Sequence, residues 1–418
     1  MKILFLNRFF YPDHSATSQM LSDLAFFLSN YGHEVNVITS RLRYADPKDQ
    51  LPAFEQINGV SVHRVWTSRF GRYFLPGRAF DYFTFYLSAA WRLWRLAENE
   101  TIVIAKTDPP LISVVARFVV AIRKSQLVNW LQDLFPEVAI ALRVRGFEGW
   151  FGRWLIKVRN YSLNHAEMNV VIGERMRDKL ISEGVAPDKI QVIHNWADGK
   201  AIRPVRSEEL GVMSKQEKSE GDTLRKEWGL ERNFVVGYSG NLGRAHEFKT
   251  IIDAAGKLNK EKDNVFLFIG GGAQVELVKE EGRKRSLDNL MFKPYQPREM
   301  LNQSLGLPDV HLVALRPEME GLIVPSKFYG IAAAGKPTLF VGDAEGEIAN
   351  IINRHQMGVA IQTGDSDYLA RTIQELKNDT EKTKALGEKA REVFEKNFDM
   401  DIALEKWEEV LKELSNEG

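Results

Sequence analysis

The chain has 418 residues, 44% of them hydrophobic and 27% charged, with 56 Lys+Arg balanced by 56 Asp+Glu. That length exceeds one ordinary core and calls for two domains, while the absence of cysteine excludes disulfides and thiolate metal sites and fits a reducing compartment. The zero net charge hides an asymmetry, because residues 1–200 carry 25 Lys+Arg against 19 Asp+Glu and hold seven of the nine tryptophans. Basic residues beside aromatics point to an anionic membrane or a nucleic acid, and the acidic second half argues against the latter.

Taken in chain order, the opening Met-Lys-Ile-Leu-Phe-Leu-Asn-Arg lacks the long apolar core of a signal peptide and predicts a first strand over Lys2–Leu6. A helix follows over 18–31, then strands over 34–39, 61–65, 102–105, 127–131 and 168–172, with helical runs between them. This alternation predicts a parallel, doubly wound sheet that binds ligands at the carboxyl ends of its strands. The apolar-rich run 79–97 contains Asp81, Arg92 and Arg95, which argues against a membrane span.

The pattern breaks near Asn195, and residues 205–232 read as a charged linker with a surface helix. Strands resume at Phe234–Ser239, 265–269, 290–292, 311–314, 338–341 and 358–361, followed by an amphipathic helix over 402–414. The expected organisation is a domain over 1–198, a linker over 199–232, a second domain over 233–395, and a helix over 396–418 packing back toward the first domain. Two such domains in tandem leave a cleft between them.

No G-x-G-x-x-G follows the first strand, so a nicotinamide or flavin site is poorly supported. The loop Asn7-Arg-Phe-Phe-Tyr-Pro-Asp-His-Ser-Ala-Thr-Ser18 offers Ser15, Thr17 and Ser18, which either cap the next helix or point hydroxyls into the cleft. Gly237-Tyr-Ser-Gly-Asn-Leu-Gly-Arg244 ends a strand and is expected to open a helix. Its Gly240, Asn241, Leu242 and Gly243 allow close backbone approach to a phosphate, and Arg244 offers a bidentate clamp. Gly271 and Gly272 repeat this design after the next strand, and Pro294 and Tyr295 could wall a nucleobase.

The most informative stretch is Glu320-Gly-Leu-Ile-Val-Pro-Ser-Lys-Phe-Tyr-Gly-Ile-Ala-Ala-Ala-Gly-Lys-Pro337. It sets a carboxylate, free N–H groups and a lysine where a helix begins, a combination suited to sugar hydroxyls and phosphate together. Together with Val192-Ile-His-Asn-Trp-Ala-Asp198, the two glycine loops and Asn129-Trp-Leu-Gln-Asp-Leu-Phe-Pro136, it resembles the glycosyltransferases of family 4. The likeness looks closest to the branch that builds colanic acid, O-antigen and capsule, including sugar transferases similar to the L-fucosamine type.

The resemblance implies a GT-B fold, two Rossmann-like doubly wound parallel-sheet α/β domains facing across a cleft. It also implies retaining, metal-independent transfer of a sugar, an N-acetylated or deoxy hexose, from a nucleotide-sugar substrate of the UDP class, with no cofactor. The expected catalytic set is Glu320, Lys327, Arg244 and Asp133, with Gly321, Leu322, Ile323 and Ser326 joining the donor loops. Where the family carries a second glutamate, counting from Glu320 reaches Phe328; the arginine and lysine that contact the diphosphate fall on Asn241 and near His246; the first domain's histidine falls at Gln132, beside Asp133.

Trp150, Trp154, Val158 and Tyr161 fall on one helical stripe with Arg153 and Lys157 nearby, and Arg72 and Arg78 lie among aromatics upstream. A helix of this kind lies at a bilayer interface. The expected partners are therefore a polyprenyl-diphosphate-linked sugar acceptor and an anionic membrane, with no nucleic acid. The expected location is peripheral, on the cytoplasmic face of the plasma (inner) membrane. A nucleotide-sugar epimerase or a catalytically silent scaffold are the competing readings.

Overall fold

The computed structural model describes residues 1–13, 15–44, 49–70, 75–204 and 224–417. Arg72 and most of the expected linker lie outside these residues. The chain divides into two units. Unit 1 is Met1–His194 joined by Gly321–Ile323 and by the stretch from Ala403 on; unit 2 is Asn195–Glu320 and Val324–Ile402.

Unit 1 is built on eight strands: β1 (Lys2–Leu6), β2 (Glu34–Ser40), β3 (Phe54–Ile57), β4 (Val60–Val65), β5 (Ile102–Lys106), β6 (Gln126–Leu131), β7 (Met168–Val171) and β8 (Ile190–Val192). Their spatial order is β3-β4-β2-β1-β5-β6-β7-β8. Every neighbouring pair is parallel except β3–β4, a hairpin turned by Asn58 and Gly59 at φ 49° and 81°. Both positions need a left-handed backbone, which Asn-Gly adopts at low cost. The central strands are apolar without alternation because helices cover both faces. On one face Phe85, Ala89 and Leu93 of the helix Leu75–Leu96 pack with Ala116 and Val120 of Ile112–Arg123 against Leu4, Leu6, Val103 and Ala105. Asp81 is not solvated: its carboxylate accepts from Ser68 Oγ (2.6 Å) and the Phe70 N–H (3.0 Å), tying the loop before the helix to it.

Unit 2 has six parallel strands: β9 (Phe234–Ser239), β10 (Asn264–Ile269), β11 (Leu290–Lys293), β12 (Val310–Ala314), β13 (Thr338–Gly342) and β14 (Gly358–Gln362). The order β11-β10-β9-β12-β13-β14 is the doubly wound one. Its switch point lies where β9 has β10 on one side and β12 on the other, and loops at the carboxyl ends diverge there.

The last helix runs Met400–Glu417, starting two residues before the expectation. From Ala403 on it belongs to unit 1, where Trp407 packs on Trp130 at 4.8 Å between centroids and Glu408 accepts from His33 Nε2 at 2.8 and 3.0 Å. The helix expected over 18–31 spans Ala16–Asn30. The strands β3 and β8 were not anticipated. The helix expected to open at Arg244 begins only at Lys249, where the Glu247 carboxylate accepts from the Thr250 N–H at 3.1 Å. That carboxylate caps the helix N-terminus, where the dipole favours a negative charge.

Candidate active site

In unit 2 the loops after β9 and β10 interlock. Gly240 N–H donates to Ile269 O (2.8 Å), Leu242 N–H to Gly271 O (2.7 Å) and Gln274 N–H to Leu242 O (3.0 Å). The approach is close enough to require glycine: a Cβ on Gly270, at φ 139°, would lie 2.1 Å from Gly240 O. Tyr295, after β11, lays its exposed ring beside Gly271, and Pro294 next to it is exposed. Gly243 is half-buried, and Arg244 is exposed at the turn where Ala245 O accepts from the Arg316 N–H (2.9 Å).

Lys327 reaches this junction from the loop after β12. Its Nζ donates to Tyr238 Oη and to Asn241 O (3.4 Å) and lies 3.7 Å from the centre of the Tyr238 ring. The Tyr238 hydroxyl in turn donates to Asn241 O (3.1 Å). Burial lowers the Lys327 amine to about 7, so a bound anion would decide its charge. His246 is held neutral: burial, with the Lys327 charge beside it, lowers it to about 3, and its Nδ1 bonds Ala314 O at 2.6 Å. Tyr238 and Gln274 were not singled out from sequence, although Tyr238 stands inside the glycine motif, and His246 entered only as the position near which the family's lysine falls.

The Glu320 carboxylate accepts from the Glu347 N–H (3.1 Å) and lies against Gly346, where a Cβ would come within 2.3 Å of Oε1. It thus sits at the N-terminus of the helix Glu347–His355, where the helix dipole favours an anion. Ser326 precedes the short helix Lys327–Ala333 and makes no side-chain capping bond. Phe328 is wholly buried against Tyr329 and Phe398. Position 328 therefore faces the core, and a ribose-binding group there is excluded by packing.

In unit 1, Gly321–Ile323 lie beside Asp133: Leu134 N–H donates to Leu322 O (2.9 Å), and Ile323 forms an antiparallel bridge with Asp133. Gly321, at φ 72°, passes close to Arg175 O. Burial raises the Asp133 carboxyl to about 6, against a hydrogen bond from Thr107. Ser15 and Ser18 serve the backbone: Ser15 Oγ accepts from the Ser18 N–H (3.3 Å), and Ser18 Oγ donates to Asp13 O (3.2 Å). Thr17 stands half-buried beside Ser15, with 3.4 Å between their hydroxyl oxygens.

The helix Trp150–Asn164 exposes Trp150, Trp154 and Tyr161 with Arg153 and Lys157. Alongside it, Ile112–Arg123 exposes Phe118 and Ile122, and Leu75–Leu96 exposes Phe80, Phe83, Leu87, Trp91 and Trp94. Phe118 stacks on Tyr161 and Arg123 lies over Trp94, so the three helices share one aromatic face. Arg78, also exposed, donates to Tyr82 Oη at 2.8 Å. Among the described residues no helix is long and apolar enough to cross a membrane, and no group of three or more His, Cys, Asp or Glu is placed to hold a metal ion.

Residues 17–196 match the family described as "Glycosyl transferase 4-like domain", and residues 221–393 match "Glycosyl transferases group 1". The chain is 30% identical over 330 residues to the "Probable glycosyltransferase WbjE" of Pseudomonas aeruginosa, covering 78% of each chain. It is 22% identical over 365 residues to WcaI of Escherichia coli (strain K12), named for colanic acid biosynthesis, covering 84% of this chain and 86% of that one. The fold is similar to that of Anabaena HepE, solved in complex with UDP and glucose, with a TM-score of 0.75 at 18% identity over 99% of this chain and 100% of that one. With both domain families matched in tandem and an extended relative at this level of identity, the chain belongs to the glycosyltransferases of family 4 and is an enzyme of the GT-B fold.

Proposed function

We propose that the protein moves a sugar, with retention at the anomeric carbon and without a metal, from a UDP-linked donor to a lipid-linked glycan acceptor during surface polysaccharide assembly. The observation that carries this reading is Lys327, half-buried at the switch point of the second sheet against the glycine loop after β9. As the bond between the anomeric carbon and the diphosphate oxygen breaks, its electrons pass to the diphosphate. Lys327 and Arg244, with loop N–H groups, supply the positive potential that steadies that charge. Ser326 and the backbone of Gly240–Gly243, Gly271 and Gly272 line the donor, Tyr295 and Pro294 flank its base, and Glu320 holds donor-sugar hydroxyls. The acceptor hydroxyl attacks from the leaving-group side, its proton passing to the departing diphosphate, and Asp133 orients that hydroxyl.

The donor class is supported by HepE, whose complex contains UDP and glucose, and the pathway class by WcaI, named for colanic acid biosynthesis. The three-helix aromatic face with its basic rim fits a cytoplasmic-side bilayer carrying anionic lipid, where a lipid-linked acceptor resides. The test is release of UDP from a panel of UDP-sugars with and without lipid-linked acceptors. Acceptor-dependent release is expected; UDP release that ignores the acceptor, or none with any donor, refutes the reading.

A further inference from the structure

Arg8 follows β1 in unit 1, and its main chain is pinned by β2 and by the loop after β5. Its N–H donates to Asp108 O (2.6 Å), and its carbonyl accepts from the Ser40 N–H (3.0 Å) and from Thr39 Oγ1 (2.9 Å). The half-buried guanidinium lies 5.3 Å from the centre of the Phe9 ring and 4.9 Å from that of Tyr82. It makes no hydrogen bond or ion pair among the described residues, and its Nε is enclosed without a partner. By contrast, Arg64 meets Glu55, Arg159 meets Glu137 and Glu183, and Arg225 meets Asp309. An enclosed donor without a partner costs about 1–3 kcal/mol, so ring packing holds an uncommitted cation in place here.

A second guanidinium meets the same ring. Arg78, exposed near the start of the helix Leu75–Leu96, lies 5.4 Å from the Tyr82 ring centre and donates through Nε to Tyr82 Oη (2.8 Å). The two guanidinium carbons are no farther apart than these two distances laid end to end. A diphosphate bridges such a gap with charge-assisted hydrogen bonds of about 2.8 Å at each end. Asp108 acts on the neighbouring Tyr86 together with Arg8, and two guanidiniums against that carboxylate leave the corner positive. Arginine forks match phosphate oxygens in pairs, and the Tyr82 hydroxyl keeps its own hydrogen to donate.

The same helix selects the kind of diphosphate. From Phe80, two residues after Arg78, the exposed Phe80, Phe83, Leu87, Trp91 and Trp94 recur at helical spacing and form one stripe. Positive charge followed along the helix by an apolar run is the order of charged head and hydrocarbon tail in a prenyl diphosphate. A nucleotide or a sugar phosphate has no use for such a stripe.

We propose that Arg8 and Arg78, set about the Tyr82 ring, bind the diphosphate that joins the acceptor glycan to its lipid carrier. The inference rests on the transfer reading but is tested by binding. UDP-saturated protein, its donor loops already filled, is floated with phosphatidylcholine vesicles carrying undecaprenyl diphosphate, or phosphatidylglycerol to the same total charge. Wild type is expected to bind the diphosphate vesicles at least about tenfold more tightly, and Arg8→Gln and Arg78→Gln each to lose that preference. Arg8→Gln should leave binding to phosphatidylglycerol within about threefold of wild type, and Arg78, being exposed, supplies a variant that leaves the core untouched. Equal binding of the two vesicles by wild type, or a preference that survives both substitutions, overturns the proposal. Diphosphate preference without acceptor-dependent UDP release refutes the transfer reading alone; acceptor-dependent release without that preference refutes this inference alone.

Discussion

Replacing Lys327 by Met tests the donor site most directly. The amine has been carried from 10.5 to about 7 by burial, which corresponds to roughly 5 kcal/mol against its charged form. Near pH 7 the fold carries most of this cost whichever state the amine takes, and the bonds to Tyr238 Oη and Asn241 O, worth about 1 kcal/mol each, offset only part of it. Met fills similar space and removes the penalised amine, so the fold near pH 7 should hold or gain stability. The leaving diphosphate, however, loses a preorganised cation worth about 2–4 kcal/mol in the transition state, or roughly 30- to 1,000-fold in kcat/KM.

A pH signature accompanies that loss. Because the folded state lowers this amine, its protonation destabilises the fold below about pH 7, and the penalty is relieved as pH rises from 7 toward 10.5. An anion needs the ammonium, so UDP affinity should fall above pH 7, by up to about tenfold per pH unit. His246, lowered to about 3, and Tyr238, raised by burial, keep one state between pH 7 and 8.5 and add nothing to that slope. The assay is kcat/KM from UDP release together with calorimetric UDP binding across that window. A folded Lys327→Met enzyme within threefold of wild type, with the same pH slope, would refute the reasoning.

Gly270→Ala drives a Cβ into Gly240 O and separates the two donor loops; calorimetry should show UDP bound at least tenfold more weakly, and unchanged affinity counts against those loops. Arg159→Met leaves Glu137 buried without its cation and Glu183 with Lys179 alone, which should cost about 3–5 kcal/mol in urea unfolding of the full chain; an unmoved midpoint would show the ion network idle. Vesicles rich in phosphatidylglycerol should carry the protein in flotation, each basic residue near the surface contributing about 1 kcal/mol. Phe118→Asp with Ile122→Asp, or high salt, should release it, and indifference to both would reject the bilayer as partner.

The central strands were legible because burial on both faces leaves continuous apolar runs such as Ile102–Ala105. The strand Phe54–Ile57 was missed because two of its four residues are polar and it pairs at an edge, although Asn58-Gly59 marks the hairpin plainly. Ile190–Val192 is too short to show a period. At the site, Lys327 was legible from its Pro-Ser-Lys turn. Its partner Tyr238 lies 89 residues away, and only the sheet order brings them together. Lys106 looks in sequence like a polar residue closing an apolar strand; that it is buried over the Trp130 ring is not encoded in spacing. Counting residues from Glu320 reached Phe328, but packing turned that side chain into the core.

The helix Met400–Glu417 has a consequence for how the protein comes into being. A ribosome delivers every strand of unit 1 and then the whole second sheet before Trp407 emerges to cover Trp130 and Glu408 to meet His33. The first unit to be started is therefore among the last to be finished, and its indole stays open to solvent while the second folds. A nascent or clipped chain lacking that helix would display Trp130, and its fluorescence would mark the moment the first unit closes.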